Sequence, residues 1–210
     1  MNLGYPTRVQ GSSTLLLQDC APNAQHVKLV FPARDNMPKV AMPEVEVHWY
    51  DGGMMPDRPE GFPQGKELMG EGGGLCIFHG TKDTLICGCY GVNPWLLSGR
   101  KPNVPQTLRR VKDAMKGGHE QDWIRACKES AGSRVQTKSN FLEAGPFNEM
   151  VVMGVLAVRL QRLNKELLWD GPNMRFTNID PNETIKIIKK DTFEVIDGDP
   201  KFKTEWTDPI

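Results

Sequence analysis

The sequence predicts an α+β domain in which a mainly antiparallel sheet carries helices on one face. Three observations predict it. Strand-like segments fill the first half of the chain, and helix-like segments fill the second. One segment alternates apolar and polar residues so cleanly that it belongs to a sheet with one wet or interface-facing side. The βαβα alternation of a dinucleotide-binding fold is absent.

In chain order, residues 26–31 (HVKLVF) are a short β-rich run. Residues 44–50 (EVEVHWY) supply the alternation, with Val45, Val47 and Trp49 on one face and Glu44, Glu46 and His48 on the other. Residues 73–79 and 83–88 are further apolar runs, and Gly80-Thr81-Lys82-Asp83 between them reads as a hairpin turn. A proline at its start suits residues 105–116 to a short helix. Residues 120–130 place Trp123, Ile124 and Cys127 on one helical stripe. Residues 146–163, entered through Gly145-Pro146, form the longest helix, and it is apolar on most sides. Such a helix is expected in the core, against the sheet. Residues 166–170 and 174–177 read as short strands or extended segments, 183–190 as a weak helix, and the rest as a polar tail.

The chain has 210 residues, enough for one large domain or two small ones. Lys+Arg and Asp+Glu both total 26, so charge makes no case for nucleic acid or an anionic membrane surface. No run of 18 apolar residues predicts a membrane span, and residues 1–7 lack the basic and apolar regions of a signal peptide. The 21 glycines and 16 prolines imply many turns and shaped loops.

Metal and nucleophile signatures are missing. Four separated histidines (His26, His48, His79, His119) show no HxH or HxxH spacing, so no metal site is expected, and GxSxG is absent. The glycine run at residues 70–74 leads into a strand, whereas a phosphate cradle leads into a helix. Cys87-Gly88-Cys89 is not CxxC, and period 2 puts both side chains on one strand face, as small buried residues would be. The other cysteines (Cys20, Cys76, Cys127) are scattered and do not fix a compartment.

Residues 49–60 (WYDGGMMPDRPE) carry the most chemistry. Two aromatics end a strand, and a carboxylate, a glycine pair and an arginine follow in a proline-held loop. Trp49 and Tyr50 offer an apolar face to a sugar-like ring, and Asp51 and Arg58 offer hydrogen bonds to its hydroxyls. The same residues fit a plain turn at Asp51-Gly52 with Trp49 in the core. Tyr90, His119 and Asn140 are further candidates, since they lie in loops between elements. Asp122 and Trp123 suit capping and packing of their helix, and Glu149 suits the positive end of the long one.

Ordered motifs run through almost the whole chain. They include Leu3-Gly4-Tyr5-Pro6-Thr7, Phe31-Pro32-Ala33-Arg34, the 49–59 stretch, Gly72-Gly73-Gly74, Gly88-Cys89-Tyr90-Gly91, and His119 through Lys128. Ser139-Asn140-Phe141, Ala144 through Gly154, Leu168-Trp169-Asp170 and Met174 to Asn178 complete them. Together they resemble the C-terminal domain of bacterial members of the glucose–fructose oxidoreductase/inositol dehydrogenase (Gfo/Idh/MocA) family. The resemblance implies a single substrate-binding and oligomerisation domain over residues 1–210, with one sheet face on helices and the other open for contact in a homo-oligomer.

The resemblance also implies an N-terminal Rossmann domain holding NAD or NADP, and this sequence shows none. The family's Glu-Lys-Pro element and its histidine-bearing helix are missing too, so no catalytic residue carries over. The fragment itself is expected to be inactive and to expose an apolar patch that favours self-association. The complete protein is expected to move hydride between nicotinamide and a sugar or cyclitol. Alternatives are a NAD-dependent glycoside hydrolase or a stand-alone carbohydrate-binding or assembly module. Trp49, Tyr50, Asp51, Arg58, Tyr90, His119 and Asn140 are the expected substrate contacts. Compartment stays open between cytoplasm and periplasm.

Overall fold

The computed structural model describes residues 3–16, 20–35, 43–68, 74–101, 105, 111–113, 116–183, 188–196 and 199–206, the last two segments as backbone only. The chain divides into two compact units, Met1–Met55 with Val111–Ile210, and Pro56–Arg110. The fold is α+β, and every described strand pair is antiparallel.

The first unit is built on a five-stranded sheet. Its strands are β1 (Arg8–Ser13), β2 (Gln25–Phe31), β3 (Val45–Tyr50), β7 (Leu167–Asp170) and β8 (Arg175–Phe176), in the order β3-β2-β1-β7-β8. The inward faces carry Val9, Val27, Leu29, Phe31 and Leu167, all buried. Against them lies helix α2 (Phe141–Arg159), which contributes Met153, Ala157 and Val158 to the same cluster. Burying each such side chain is worth about 1.5–3 kcal/mol.

Gly11, in the central strand, sets how closely helix and sheet approach. A Cβ there would stand 2.6 Å from the backbone nitrogen of Val158 and 2.8 Å from the carbonyl carbon of Ala157. The helix backbone thus occupies the space a side chain would need, whereas a Cβ at Gly154 would meet Val27 at an ordinary contact distance of 3.4 Å.

Several sequence expectations change. Helix α2 begins at Phe141, because the Asn140 side chain accepts from the Leu142 and Glu143 N–H groups; Pro146 sits inside it. By length and composition α2 could cross a membrane, but here one side packs on β1 and β2. The other side, expected to be buried, exposes Phe147, Val151 and Val155. In α1 (Gly118–Lys128) the buried side is Gly118, Asp122 and Ala126, whereas Trp123 is 64% exposed. Asp122 is drawn inward because it accepts from Arg125 and from the Lys138 N–H. Residues 188–190, expected as helix, begin strand β9 (Ile188–Ile196), which pairs with β10 (Asp199–Trp206) where a tail was expected. The helix expected at 105–116 and the glycines at 70–73 fall mostly outside the described residues.

The second unit holds a three-stranded sheet, β4 (Leu75–His79), β5 (Thr84–Gly88) and β6 (Trp95–Leu96). The expected turn closes its hairpin, with the Gly80 N–H on the Asp83 carbonyl at 3.0 Å. Phe62, Leu68 and Ile86 form its core, flanked by Leu75, Ile77, Trp95 and Leu97.

Candidate functional site

Each expected contact residue has an identifiable place. Asp51 ends β3 with its carboxylate committed to its own unit. Oδ1 accepts from the Gln25 N–H at 3.1 Å, and Oδ2 accepts from Gln25 Nε2 and Trp49 Nε1, both at 2.9 Å. Next to it Gly52 has φ +65°, with Asn23 and Ala24 backbone filling the space of a Cβ. Trp49 remains 61% exposed, so it is neither core nor enclosed. Tyr50 points to the opposite face of β3 and stacks on His26 at 4.5 Å.

Asn140 caps α2 and donates to the Thr137 carbonyl, and His119 bonds to Ser139 Oγ at 3.0 Å. These two therefore sit near each other, at the entry to α2. Arg58 and Tyr90 belong to the second unit. Arg58 donates to the Pro63 and Lys66 carbonyls and lies over the Phe62 ring, while Tyr90 is exposed in the turn after β5. The structure brings Trp49 to Asp51 and His119 close to Asn140; Arg58 and Asn140 are spent on nearby backbone, and Asp51 on Gln25 and Trp49.

A different constellation lines a groove of about 600 Å³ along the N-terminal half of α2. Tyr5, Phe141 and Trp169 supply aromatic wall, Val152 and Met153 the floor, and Asn148 and Glu149 the polar groups. Glu149 Oε1 accepts from the Trp169 indole N–H at 2.8 Å. Trp169 is further held by the Phe176 ring, edge-on at 4.9 Å. Tyr5 is seated by Gly171, where a Cβ would come within 2.7 Å of its ring.

At the rim Met174 takes a left-handed conformation, φ +49°, which is strained for a side chain of this kind. It follows a 3-10 turn, Gly171–Asn173, capped by Asp170. The hydrogen bond from the Asn173 side chain holds the Asp170 carboxyl below its ordinary range. The groove is open, with Phe141, Leu142 and Met174 largely exposed, and it sets an apolar lining beside the Glu149 carboxylate. Its aromatic rings offer apolar faces and the carboxylate offers a hydrogen-bond acceptor.

The outer face of the five-stranded sheet is charged. Arg8 pairs with Glu44 at 2.6 Å and Lys28 with Glu166 at 3.1 Å. Beside them runs a chain of bonds from Glu46 Oε2 to His48 Nε2 at 3.1 Å, and from His48 Nδ1 to His26 Nε2 at 3.0 Å. The two imidazole planes differ by 6° with centroids 5.2 Å apart. Much of that spacing is the N···N hydrogen bond, which joins the two rings nitrogen to nitrogen. Burial, then the nearby His48 and Lys28, lowers the His26 pKa from its ordinary 6.5. The His48 hydrogen bond lowers Glu46 from 4.5.

Both shifts act in one direction. The unfolded chain binds a proton at His26 more readily than the folded one, so stability is full above about pH 6.5 and falls as pH drops below it. The Glu46 contribution is present above its ordinary value and is lost as pH falls through the lowered one. On a solvated face the sum stays under about 1 kcal/mol. The urea midpoint is expected to fall between pH 7.5 and pH 5.5, with a shallower fall in His26→Gln. Equal slopes in the two proteins would remove His26 from the account.

Set against known proteins, the chain matched no family model and no curated protein.

Sequence reasoning did not single out Tyr5, Trp169 or Met174 as contacts, and it favoured a helix-end role for Glu149 over an active-site one. Their signal was present in the Gly4-Tyr5-Pro6, Glu149, Leu168-Trp169-Asp170 and Met174 elements of the resemblance. Spacing alone does not unite them, because they come from separate segments.

Proposed function

We propose that this chain is the substrate-side domain of a NAD(P)-dependent oxidoreductase acting on a sugar or cyclitol, with the α2 groove as the substrate wall. The observation that carries the reading is the groove itself, with Trp169 and Tyr5 as ring platforms and Glu149 held by the Trp169 N–H. The ordered motifs and the α+β layering support it further. No strand–glycine turn–helix unit occurs among the described residues, so they do not fit a dinucleotide cradle. The nicotinamide, which supplies the hydride chemistry when bound, belongs on a separate domain. The exposed apolar strip of Phe147, Val151 and Val155 suits coverage by such a domain. The charged sheet face suits contact with a second copy.

The test follows the Trp169 indole N–H by NMR while a panel of monosaccharides and cyclitols is added. A saturable shift with one sugar class, weakened at least about tenfold in Glu149→Gln, is expected, since a bond to a charged acceptor is worth about 1.5–3 kcal/mol. A silent indole signal across the panel would remove the groove as a sugar site. A saturable response to NADH alone would place the cofactor on this chain and overturn the domain assignment.

A further inference from the structure

We infer that Cys76 and Cys87 are a reversible dithiol–disulfide pair, a redox site on the face of the three-stranded sheet turned away from Phe62, Leu68 and Ile86. Cys76 on β4 and Cys87 on β5 stand directly opposite each other, and neither is in a disulfide. Their pairing type follows from the bonds on either side. The Gly80 N–H bonds to the Asp83 carbonyl at the turn, and the Cys89 N–H bonds to the Gly74 carbonyl at the other end. Counting by twos between these, Cys76 and Cys87 form a hydrogen-bonded pair.

In such a pair the Cα atoms lie about 5.5 Å apart, inside the span a disulfide bridges. The side chains stand wider apart than at non-hydrogen-bonded pairs, so closing the bond must pull the two Cβ atoms together. Strain of that kind makes a disulfide easier to reduce. The pair is therefore suited to opening and closing rather than to permanent stapling. It lies on the face opposite Leu75, Ile77 and Ile86, which pack into the core of the unit. Cys89 is on the same face, its Cβ 3.0 Å from where a Gly74 Cβ would stand, so a rival thiol is close by.

The chemistry needs an oxidant of the disulfide class, and glutathione disulfide serves. The half-buried Cys76 is the point of entry, since Cys87 is buried. Its thiolate attacks one sulfur of glutathione disulfide and expels a glutathione thiolate. The Cys87 thiolate then attacks the Cys76 sulfur of the mixed disulfide and expels the second. Two protein thiols give up two protons and two electrons, and one glutathione disulfide becomes two glutathione thiols. Burial first, and then the adjacent Cys87, raise the Cys76 thiol pKa above its ordinary 9.0. Little thiolate is present at neutral pH, and the rate should climb about tenfold per pH unit towards alkaline pH.

The experiment incubates the whole folded chain with glutathione disulfide, blocks remaining thiols, and maps the linked peptides by mass spectrometry. A Cys76–Cys87 link is expected, reversed by reduced glutathione, forming faster with rising pH and retained in Cys89→Ser. A link through Cys89 instead, or Cys76 left as a thiol or as a stable mixed disulfide, would overturn the pair. The unsubstituted chain gives the deciding result, so misfolding of a variant does not obscure it.

Discussion

Gly11→Val is expected to lower the stability of the chain by about 3 kcal/mol, a large share of the 5–15 kcal/mol typical of a folded domain. The added Cβ would enter the backbone of α2 at Val158 and Ala157, which rotamer changes cannot move aside. Helix and sheet must separate, and the cluster of Val9, Val27, Met153 and Ala157 loosens with them. Because α2 also lines the groove, the sugar binding proposed for it should weaken although residue 11 is not among the groove's lining residues. Urea unfolding of Gly11→Ala and Gly11→Val, in that order of severity, checks the claim. A Gly11→Val midpoint equal to the unsubstituted protein's would mean that the helix does not ride this close to β1.

Trp169→Ala carries the second large effect, about 3 kcal/mol, towards the low end for a large aromatic because the residue is half-buried. The Phe176 ring loses its edge-on partner, and Glu149 loses the indole donor that orients it. Trp169→Phe separates the two contributions. It restores most of the ring but not the N–H, and should cost about 1 kcal/mol through the missing hydrogen bond. Calorimetric titration with whichever sugar moves the indole signal should show binding lost in the alanine variant. If the phenylalanine variant is as unstable as the alanine one, the bond to Glu149 outweighs the ring packing.

The parts of the fold that were legible in sequence are those decided locally. The 44–50 alternation and the Gly80–Asp83 turn depend on neighbours along the chain, and they read true. β1 escaped notice because its sequence answers to the helix above it. Gly11 gives clearance to α2 at the expense of strand character, and Ser12 and Ser13 add no apolar signal. The buried side of α1 was misread because a charged residue, Asp122, is satisfied by Arg125 and by the distant Lys138 N–H.

The start of α2 was more legible than it was taken to be. Asn140 followed by Glu143 has the spacing of a helix-capping box, and it outranks the Gly145-Pro146 signal that placed the start later. For the candidate groove, sequence reasoning looked for aromatics beside a carboxylate, which is the kind of lining the groove has. The groove residues themselves were not legible, because Tyr5, Glu149 and Trp169 come from separate segments that meet only through the sheet and its helix.

The pairing of β1 with β7 also governs how the chain is made. Arg8 and Val9 are synthesised well before their partners Leu168 and Leu167. Until α2 and β7 emerge, the β1-β2-β3 meander has nothing to cover Val9, Val27, Leu29 and Phe31. Non-local closure of this kind is slow. The described strands of the Pro56–Arg110 unit pair with sequence neighbours and can form in the interval. Nascent-chain aggregation should therefore originate in the flanking segments of the first unit, and slowing translation before residue 141 would lengthen the exposed interval.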